Sequence, residues 1–406
     1  MKTKVFKNSI GTSADIIRRG GLVSVPTETV YGLAANGLDA FAVEKIYEVK
    51  GRPAVKPLSM MVRGKQDMER YCLDVPPQAY ALADSFWPGP LTVVLKSKDT
   101  VPDIVRAGGS TVGLRCPDSL LTLELLNEAE LPLAAPSANP SGGLSPKCAD
   151  DVFDYFDGMI DAIIDGGECT LGIESTLIDM TSRPYRILRN GALSRDAVAM
   201  ALVKAMNVVG ITGPSGCGKS TASRILTDSG AGNGYIFIDC DKIYHRLLET
   251  SDELNEELKE EFGECYKEGA LDRKALGKAV FTDSGKLLTL NRITHKHISR
   301  EVAELLKEHA MLGGKGAIID ASELIGSPVE KYCSCIVSVL APKDERIKRV
   351  MQRDGISRET AENRINAQHC DDYYKANSSV TVYNGSDMKL FEESILNIFK
   401  EVNENG

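Results

Sequence analysis

The chain has 406 residues, of which 43% are hydrophobic and 26% charged, and its formal net charge is -9. This length is enough for two or three domains, each with a core of its own. The acidic balance argues against stable nucleic-acid binding and against a membrane-surface protein, although it leaves room for a local basic pocket. No uninterrupted apolar run reaches the length of a membrane span, about 18 residues, so we expect a cytoplasmic protein without membrane partners.

The first half begins with a predicted helix at 12–19 and an apolar strand at 22–25, which ends at Pro26. The segment that follows, 26–33, places Thr27, a carboxylate, further hydroxyls and an aromatic directly after a buried strand. Loops at strand ends are common substrate-binding positions. This segment is therefore the first candidate for ligand contact.

Polar and cationic residues stand at further predicted strand and helix ends of the first half. Three cations at 50, 52 and 56 lie close together and are interrupted by glycine and proline; taken alone, such a pattern is more often a solvated charged run than a rigid basic rim. Convergent cations and hydroxyls predict a pocket for an anionic ligand. All five histidines lie after this half, so its chemistry must proceed without a histidine base. The residues that follow this pattern are Lys50, Arg52, Arg115, Ser137, Asn139, Ser175 and Arg189.

Five motifs in this half occur in an order that resembles the YrdC/Sua5 family over residues 10–195. They are Pro26-Thr-Glu-Thr-Val-Tyr-Gly-Leu, Lys50-Gly-Arg-Pro, Pro136-Ser-Ala-Asn, Glu174-Ser-Thr and Leu188-Arg-Asn-Gly. The resemblance implies L-threonylcarbamoyladenylate synthase activity. In that reaction threonine, bicarbonate and ATP give threonylcarbamoyl-AMP and pyrophosphate, an early step of the tRNA modification t6A, with other t6A proteins acting downstream.

The resemblance also implies roles for individual residues. Thr27, Arg115, Ser137 and Ser175 would hold threonine and its carbamate, whereas Lys50, Arg52, Thr111, Asn139 and Arg189 would hold ATP. Such adenylation chemistry mainly requires clamping of charge and alignment. Longer family members carry an additional C-terminal domain, and here another domain takes its place.

The boundary between the halves is predicted to be helical. Ser194 is a plausible N-cap for a helix at 195–206 with an apolar stripe. We therefore predict domains at 1–195 and 207–406 with a helical linker at 196–206.

The second half is organised around a P-loop, 213–220, which stands between the apolar run 208–212 and a predicted helix. A strand, a glycine-rich turn and a helix N-terminus together form a phosphate site. In this interpretation Lys219 reaches the terminal phosphates of ATP and Ser220 ligates Mg²⁺. The predicted ATP-binding residues are Gly213, Gly216, Gly218, Lys219, Ser220 and Thr221.

Two carboxylates, Asp239 and Asp241, end the next predicted strand. On an extended strand both could point into one site, with Asp239 toward the metal and Asp241 toward a substrate hydroxyl. The alternative is an N-cap pair for the following helix. Further strands at 316–320 and 335–340 alternate with helices, which is typical of a parallel sheet covered on both faces. Arg349 and Arg353 then lie in a predicted helical lid that closes on phosphates.

The second half is similar to dephospho-CoA kinase from 208 to 385, through the P-loop, Ile238-Asp-Cys-Asp241, Leu271-Asp-Arg273, Arg353-Asp-Gly-Ile-Ser and Asn384-Gly385. The resemblance implies transfer of the ATP γ-phosphate to dephospho-CoA, with Asp241 and Lys219 as catalytic residues. The chain departs from the family pattern in two places: Lys296 stands where the family has a proline after the histidine, and one segment differs. Where the family has Pro-Leu-Leu-x-Glu, this chain has Ser322-Glu-Leu-Ile-Gly326.

The sequence thus predicts two α/β domains: a mixed twisted sheet first, then a P-loop kinase with a helical lid. The leading hypothesis is a bifunctional enzyme that uses ATP in both halves. A second hypothesis combines an active synthase with a kinase-like domain that has another acceptor or a regulatory role. A third makes the first half an RNA-binding module, which the net charge of -9 disfavours.

Overall fold

The computed structural model describes residues 2–267, 269–385 and 387–405. Met1, Glu268, Ser386 and Gly406 lie outside the described residues; Met1 is the first residue of the predicted domain 1–195, and Gly406 is the last residue of the predicted domain 207–406. The chain forms two compact units. One contains the residues up to Ala205 together with Met311–Gly313, and the other contains Met206–Ala310 and the residues from Gly314 onwards.

The first unit has eleven strands and eight helices among its described residues. The strands are β1 Lys4–Phe6, β2 Val23–Val25, β3 Gly32–Asn36, β4 Ser59–Met61, β5 Cys72–Leu73, β6 Leu91–Ser97, β7 Thr111–Arg115, β8 Leu133–Ala134, β9 Ala162–Ile164, β10 Thr176–Asp179 and β11 Arg186–Arg189. The helices are α1 Ile10–Arg18, α2 Ala40–Lys50, α3 Met68–Tyr71, α4 Pro77–Phe86, α5 Asp103–Arg106, α6 Leu120–Ala129, α7 Ala149–Phe156 and α8 Arg195–Lys204, with a 3₁₀ turn at Lys65–Asp67.

All eleven strands belong to one sheet with the order β1-β9-β2-β3-β8-β4-β7-β6-β10-β11, in which β5 pairs with β6. Parallel pairs such as β4 with β7 adjoin antiparallel pairs such as β6 with β7. This confirms the predicted mixed sheet. Its short central strands are mostly apolar and largely buried, as in β2, where Val23, Ser24 and Val25 are all buried beneath neighbouring elements.

The core of this sheet lies beneath α1 and α6. Ile17 from α1 and Leu125 from α6 pack with Val23 and Val25 of β2 in one buried cluster. The helix predicted at 12–19 is therefore α1, which begins two residues earlier, at Ile10. This packing fixes the strand ends that carry the polar residues of the first candidate site.

Helix α8 begins where the sequence predicted, with the Ser194 side chain accepting a hydrogen bond from the Ala197 amide. It ends at Lys204, two residues before the predicted end at Met206. Val198 and Leu202 are buried, and α8 packs against α4 within the first unit.

The second unit has seven strands and nine helices among its described residues. The strands are β12 Asn207–Thr212, β13 Tyr235–Asp239, β14 Tyr266–Lys267, β15 Ala270–Leu271, β16 Gly316–Asp320, β17 Cys335–Leu340 and β18 Val380–Tyr383. The helices are α9 Lys219–Asp228, α10 Cys240–Thr250, α11 Asp252–Phe262, α12 Arg273–Thr282, α13 Ser284–Met311, α14 Lys343–Asp354, α15 Arg358–Asn366, α16 Asp371–Ala376 and α17 Met388–Asn405, with 3₁₀ turns at Gly263–Cys265 and Glu330–Tyr332.

Five of these strands form a parallel sheet with the order β13-β16-β12-β17-β18. Leu226 of α9 and Phe391 of α17 pack against Val209 and Ile211 of β12. The carboxyl ends of β13, β16 and β12 meet at one edge, where ligands bind in open α/β sheets. Among the described residues, no helix is both long enough and apolar enough to cross a bilayer.

Candidate active sites

The first unit contains a cavity of about 220 Å³ whose wall is rich in cations and hydroxyls. It collects residues from loops and strand ends that are distant in sequence. Five of the nine residues predicted for the synthase site line this cavity: Arg52, Arg115, Ser137, Ser175 and Arg189.

Arg115, the last residue of β7, is held in place by three partners. Its Nη2 atom lies 2.7 Å from the Glu28 carboxylate and donates to the Thr29 hydroxyl over 2.8 Å. Its Nε atom donates to the Gly89 carbonyl over 3.3 Å. Burial lowers the pKa of Arg115, while the Glu28 carboxylate opposes this effect. The guanidinium group thus stays charged and rigid at the wall of the cavity.

Arg189 and Ser175 form a second fixed group on the cavity wall. The Arg189 Nη2 atom donates to the Ser175 hydroxyl over 2.9 Å, and its Nε atom donates to the Ser175 carbonyl over 3.0 Å. Its Nη1 atom lies 2.5 Å from the Glu174 carboxylate. The Ser175 hydroxyl also lies 2.8 Å from the Thr92 hydroxyl.

Lys50 lies behind the cavity, at the end of α2, and it is buried. Its ammonium group donates to the backbone carbonyls of Ser137 and Asn139. The pKa of Lys50 is lowered from 10.5 to about 8, chiefly by burial and to a lesser extent by the neighbouring Arg52. Lys50 does not line the cavity, so in this structure it positions the loop that carries Ser137.

The Arg52 side chain reaches the cavity through contacts within its own loop. Its Nη2 atom donates to the Pro57 carbonyl over 2.8 Å, and its Nε atom donates to the Lys56 carbonyl over 3.2 Å. The cations at 50 and 52 are therefore not a solvated run of charge, because each is engaged by backbone carbonyls.

Thr27 lies outside the cavity lining, although it was predicted to contact threonine. Its hydroxyl donates to the Val30 carbonyl over 2.7 Å and lies 2.8 Å from the Thr29 hydroxyl. The Thr29 hydroxyl in turn accepts a hydrogen bond from Arg115. Thr27 therefore supports the position of Arg115 indirectly, through Thr29.

Asn139 and Thr111 also do not line the cavity. The Asn139 amide donates to the carbonyls of Pro140 and Gly143 over 2.9 and 2.8 Å, which closes the loop on itself. Thr111 is the first residue of β7, whereas Arg115 at the cavity is the last. Contact of Asn139 and Thr111 with a nucleotide remains a prediction.

The second unit places the P-loop between β12 and α9, as predicted. Two of its glycines are required by close packing. Gly213 has a φ of 140°, and a Cβ atom there would lie 2.1 Å from the Val339 carbonyl oxygen. Gly218 has a φ of 104°, and its Cβ would lie 2.1 Å from the Asn384 amide nitrogen, which itself donates to the Cys217 carbonyl.

A cavity of about 250 Å³ lies against the P-loop and the helix that follows it. The Lys219 ammonium, at the start of α9, donates to the Gly213 carbonyl over 2.9 Å. Successive backbone amides at a helix N-terminus provide an anion-binding site. Of the predicted kinase residues, those lining this cavity are Gly216, Gly218, Lys219, Ser220, Thr221, Arg349 and Arg353.

Helices α14 and α15 form the predicted helical hairpin. Their facing residues Ile347, Val350, Ala361 and Ile365 make a small core of their own. Arg349 of α14 donates to the Gly216 carbonyl over 3.2 Å. The hairpin thereby holds arginine side chains at the edge of the P-loop.

Arg353, the other predicted arginine of the hairpin, is paired with a neighbouring carboxylate. Its Nε and Nη2 atoms bind Asp354 at 2.7 and 2.9 Å. Arg364 of α15 binds the same carboxylate at 2.8 Å. Asp354 therefore links two arginines, of which Arg353 lines the cavity.

Asp239 and Asp241 line different cavities, although both carboxylates raise the pKa of Asp320, so their convergence on one site remains a prediction. Strand β13 ends at Asp239 and α10 begins at Cys240, so the backbone does not stay extended between the carboxylates. Asp239 caps α10, with its Oδ1 atom accepting from the Lys242 amide over 2.9 Å. Asp239 lines a groove with Ser220, whereas Asp241 lines a separate pocket with His295.

Asp320, the last residue of β16, lies beside this pair and was not among the predicted site residues. Burial, the largest effect, and then the Asp239 and Asp241 carboxylates raise its pKa to about 6, against the opposing charge of Lys219. Asp320 lines the same groove of about 700 Å³ as Ser220 and Asp239. The hydroxyl oxygen of Ser220 and the two closely spaced carboxylates are hard donors, which suit Mg²⁺.

The pocket that contains Asp241 has a volume of about 160 Å³ and lies between α10, α13 and the loop after β16. Burial lowers the pKa of His295. Burial also raises the pKa of Glu323, and this is the largest effect on that group. The Asp241 carboxylate raises this pKa as well, whereas His369 and Lys219 lower it. Ser322 and Glu323, from the segment that departs from the kinase family pattern, both line this pocket.

Several residues of these sites were missed because their positions depend on strand neighbours. Glu28 and Thr29 belong to a motif that drew attention, but nothing in the motif showed that they hold Arg115. Thr92 lies within an ordinary strand. Asp320 ends β16, and only the order of strands in the folded sheet shows that β16 lies between β13 and β12. A carboxylate at a parallel strand end was the one available signal for Asp320.

The fold and the two sites define a fusion of two α/β modules of the kind that act on nucleotides. The family model described as "Telomere recombination", Sua5/YciO/YrdC, matches residues 15–191, and the dephospho-CoA kinase model matches residues 207–389. The chain belongs to the Sua5/YciO/YrdC family through its first half and to the dephospho-CoA kinase family through its second.

Individual relatives match one half each. A threonylcarbamoyl-AMP synthase of Pyrococcus abyssi is 44% identical over 198 residues, 49% of this chain and 58% of the relative. A putative threonylcarbamoyl-AMP synthase of Methanocaldococcus jannaschii is 38% identical over 44% of this chain and 83% of the relative. A dephospho-CoA kinase of Carboxydothermus hydrogenoformans is 32% identical over 48% of this chain and 93% of the relative. This chain thus spans little more than half of the Pyrococcus relative.

Proposed function

We propose that the chain is a bifunctional enzyme with two separate ATP sites. Its first half would form threonylcarbamoyl-AMP from L-threonine, bicarbonate and ATP for the t6A modification of tRNA. Its second half would phosphorylate dephospho-CoA to CoA with ATP. Membership in the two families supports this pairing, and each half has its own polar cavity.

The observation that carries the synthase proposal is the convergence of Arg52, Arg115 and Arg189 on one cavity with Ser137 and Ser175. In the reaction a carbamate oxygen attacks the α-phosphorus of ATP, and the bond to the leaving pyrophosphate breaks. Preorganised cations stabilise the charge that builds on the phosphate oxygens. Arg115, which is clamped by Glu28, would hold the threonine carboxylate, and Arg189 would hold the nucleotide.

The synthase proposal is tested by pyrophosphate release from ATP with threonine and bicarbonate, each omitted in turn. We expect release only when both are present, together with a product of the mass of threonylcarbamoyl-AMP. Release without threonine would show that the cavity serves a different acceptor. RNA that binds with a steep salt dependence and without turnover would favour an RNA-binding module instead.

The observation that carries the kinase proposal is the P-loop cavity, which Lys219 and Ser220 line together with Arg349 and Arg353. The acceptor hydroxyl would lose its proton to Asp241 as its oxygen binds the γ-phosphorus and ADP leaves. Ser220, Asp239 and Asp320 would hold Mg²⁺, which when bound offsets charge on the β- and γ-phosphates.

The kinase proposal is tested by ADP formation that depends on dephospho-CoA, with CoA identified by mass. Ser322 and Glu323 of the altered segment line the pocket of Asp241, which favours one alternative, a kinase for another hydroxyl acceptor. ADP formation with a different nucleoside acceptor, and none with dephospho-CoA, would establish that alternative.

A further inference from the structure

The pocket of Asp241 has a second carboxylate on its wall. Glu323 lies in the loop that follows β16, and Asp241 lies in the first turn of α10, so the two groups come from different elements. The two carboxylates and Lys219 interact electrostatically: Asp241 raises and Lys219 lowers the pKa of Glu323. Glu323 thus shares a pocket with the proposed base.

The remainder of this pocket combines apolar side chains such as Leu290 and Ile298 with a few neutral hydrogen-bonding groups. Its polar groups include Asn291 and Thr294 of α13 and Ser322. Among the described residues that line it, none is a lysine or an arginine. A pocket of this kind suits a ligand segment that is neutral and donates hydrogen bonds, because two carboxylates accept such bonds and repel anions.

We propose that Glu323 determines acceptor specificity by accepting a hydrogen bond from the hydroxyl next to the one that Asp241 deprotonates. Two carboxylates on one pocket would then bind both hydroxyls of a vicinal diol. The acceptor class is a nucleotide or nucleoside with an intact ribose. This inference rests on the proposed kinase function and names what that same site recognises.

The step is a phosphoryl transfer in which Glu323 takes no proton. The acceptor oxygen forms a bond to the γ-phosphorus of ATP, the bond from that phosphorus to the β–γ bridging oxygen breaks, and ADP leaves. The proton of the reacting hydroxyl passes to Asp241. Glu323 orients the ribose through the neighbouring hydroxyl, so it acts on binding and alignment.

The test compares dephospho-CoA with its 2′-deoxyribose analogue in the wild type, Glu323→Leu and Glu323→Gln. Both the rate of ADP formation and the equilibrium dissociation constant without ATP are measured. Glu249→Gln is the matched control, since Glu249 is an exposed carboxylate on α10 that does not line the pocket.

We expect the wild type and the control to prefer the ribose acceptor by about 10- to 150-fold, as for a hydrogen bond to a charged group. Glu323→Leu should treat both acceptors alike, and Glu323→Gln should retain part of the preference because its amide oxygen still accepts. The KM for ATP should stay unchanged in all variants.

The outcomes separate this inference from the kinase proposal. A preference for ribose that persists in Glu323→Leu overturns the inference while leaving the kinase function intact. Binding that depends on Glu323 and on the 2′-hydroxyl, without turnover, supports the inference and rejects the kinase function. Failure of the wild type to bind dephospho-CoA overturns both.

Discussion

The Arg189 guanidinium donates a hydrogen bond to the Ser175 hydroxyl over 2.9 Å, and this contact joins two segments that the sheet brings side by side. Arg189 ends β11, and Ser175 immediately precedes β10, its antiparallel partner. The strand pairing therefore sets the position of the arginine at the cavity. Glu174 limits its remaining freedom through an ion pair of 2.5 Å.

Arg189→Ala should reduce threonine-dependent pyrophosphate release by about 10- to 150-fold, the loss expected for a hydrogen bond to a charged group. ADP formation by the second half should stay at the wild-type rate. Arg186→Ala is the control, because Arg186 lies on the same strand, pairs with Asp179 and does not line the cavity. Equal losses in both variants would contradict the assignment of Arg189 to the site.

Lys50→Met should destabilise the first unit by about 1–3 kcal/mol at pH 7.5, because the carbonyls of Ser137 and Asn139 lose a buried donor. Trp87 is the only tryptophan in the chain, so its fluorescence in a urea titration reports on this unit. An unchanged free energy of unfolding would show that the two carbonyls find other donors.

The stability difference between wild type and Lys50→Met should also depend on pH. The pKa of Lys50 falls from 10.5 to about 8 in the folded protein, chiefly through burial. Between these two values the unfolded chain binds more protons, so wild-type stability rises with pH over this window and the advantage over the variant grows. A constant difference between pH 7.5 and pH 9.5 would contradict the lowered pKa.

Lys219→Ala should lower ADP formation by about 100-fold or more, as when one preorganised charge is removed from a transition state. Threonine-dependent pyrophosphate release should be unaffected. Lys348→Ala serves as the control, since Lys348 is exposed and pairs with Glu345 on α14 away from the cavity. Loss of both activities in Lys219→Ala would show that the two sites are coupled.

Asp320→Asn should stabilise the second unit at pH 7 in the presence of EDTA, but not at pH 4. Burial and the nearby carboxylates raise the pKa of Asp320 from 3.8 to about 6, so the folded state binds more protons between these values. Wild-type stability is therefore lost as pH rises through this window, and the variant avoids that loss. Amide hydrogen exchange of β12 and β16 measures the effect; equal protection at pH 7 would refute it.

Local motifs allowed much of the second half to be predicted from sequence. The P-loop, the strand before it and the helix after it are contiguous, so their chemistry can be inferred without knowing the sheet. Asp239 and Asp241 show the limit of such inference. Their spacing was compatible with one shared site or with an N-cap pair, and the structure shows that Asp239 caps α10, which begins directly after it.

The first half shows the same limit in another form. Its polar strand ends correctly indicated a cavity with Arg115, Ser175 and Arg189. Sequence could not show that Lys50 binds backbone carbonyls behind the cavity, since that depends on how α2 packs against the loop at 137–139. Burial of a lysine is decided by tertiary packing and not by its motif.

One measurement tests the central claim, that two ATP sites on this chain have different acceptors. Wild-type protein is given ATP, threonine, bicarbonate and dephospho-CoA together, and the nucleotide products are separated, with each acceptor then omitted in turn. We predict that ADP and CoA vanish only without dephospho-CoA, and that pyrophosphate and threonylcarbamoyl-AMP vanish only without threonine or bicarbonate. ADP formation that requires threonine, or the absence of either product pair from the complete mixture, would contradict the account.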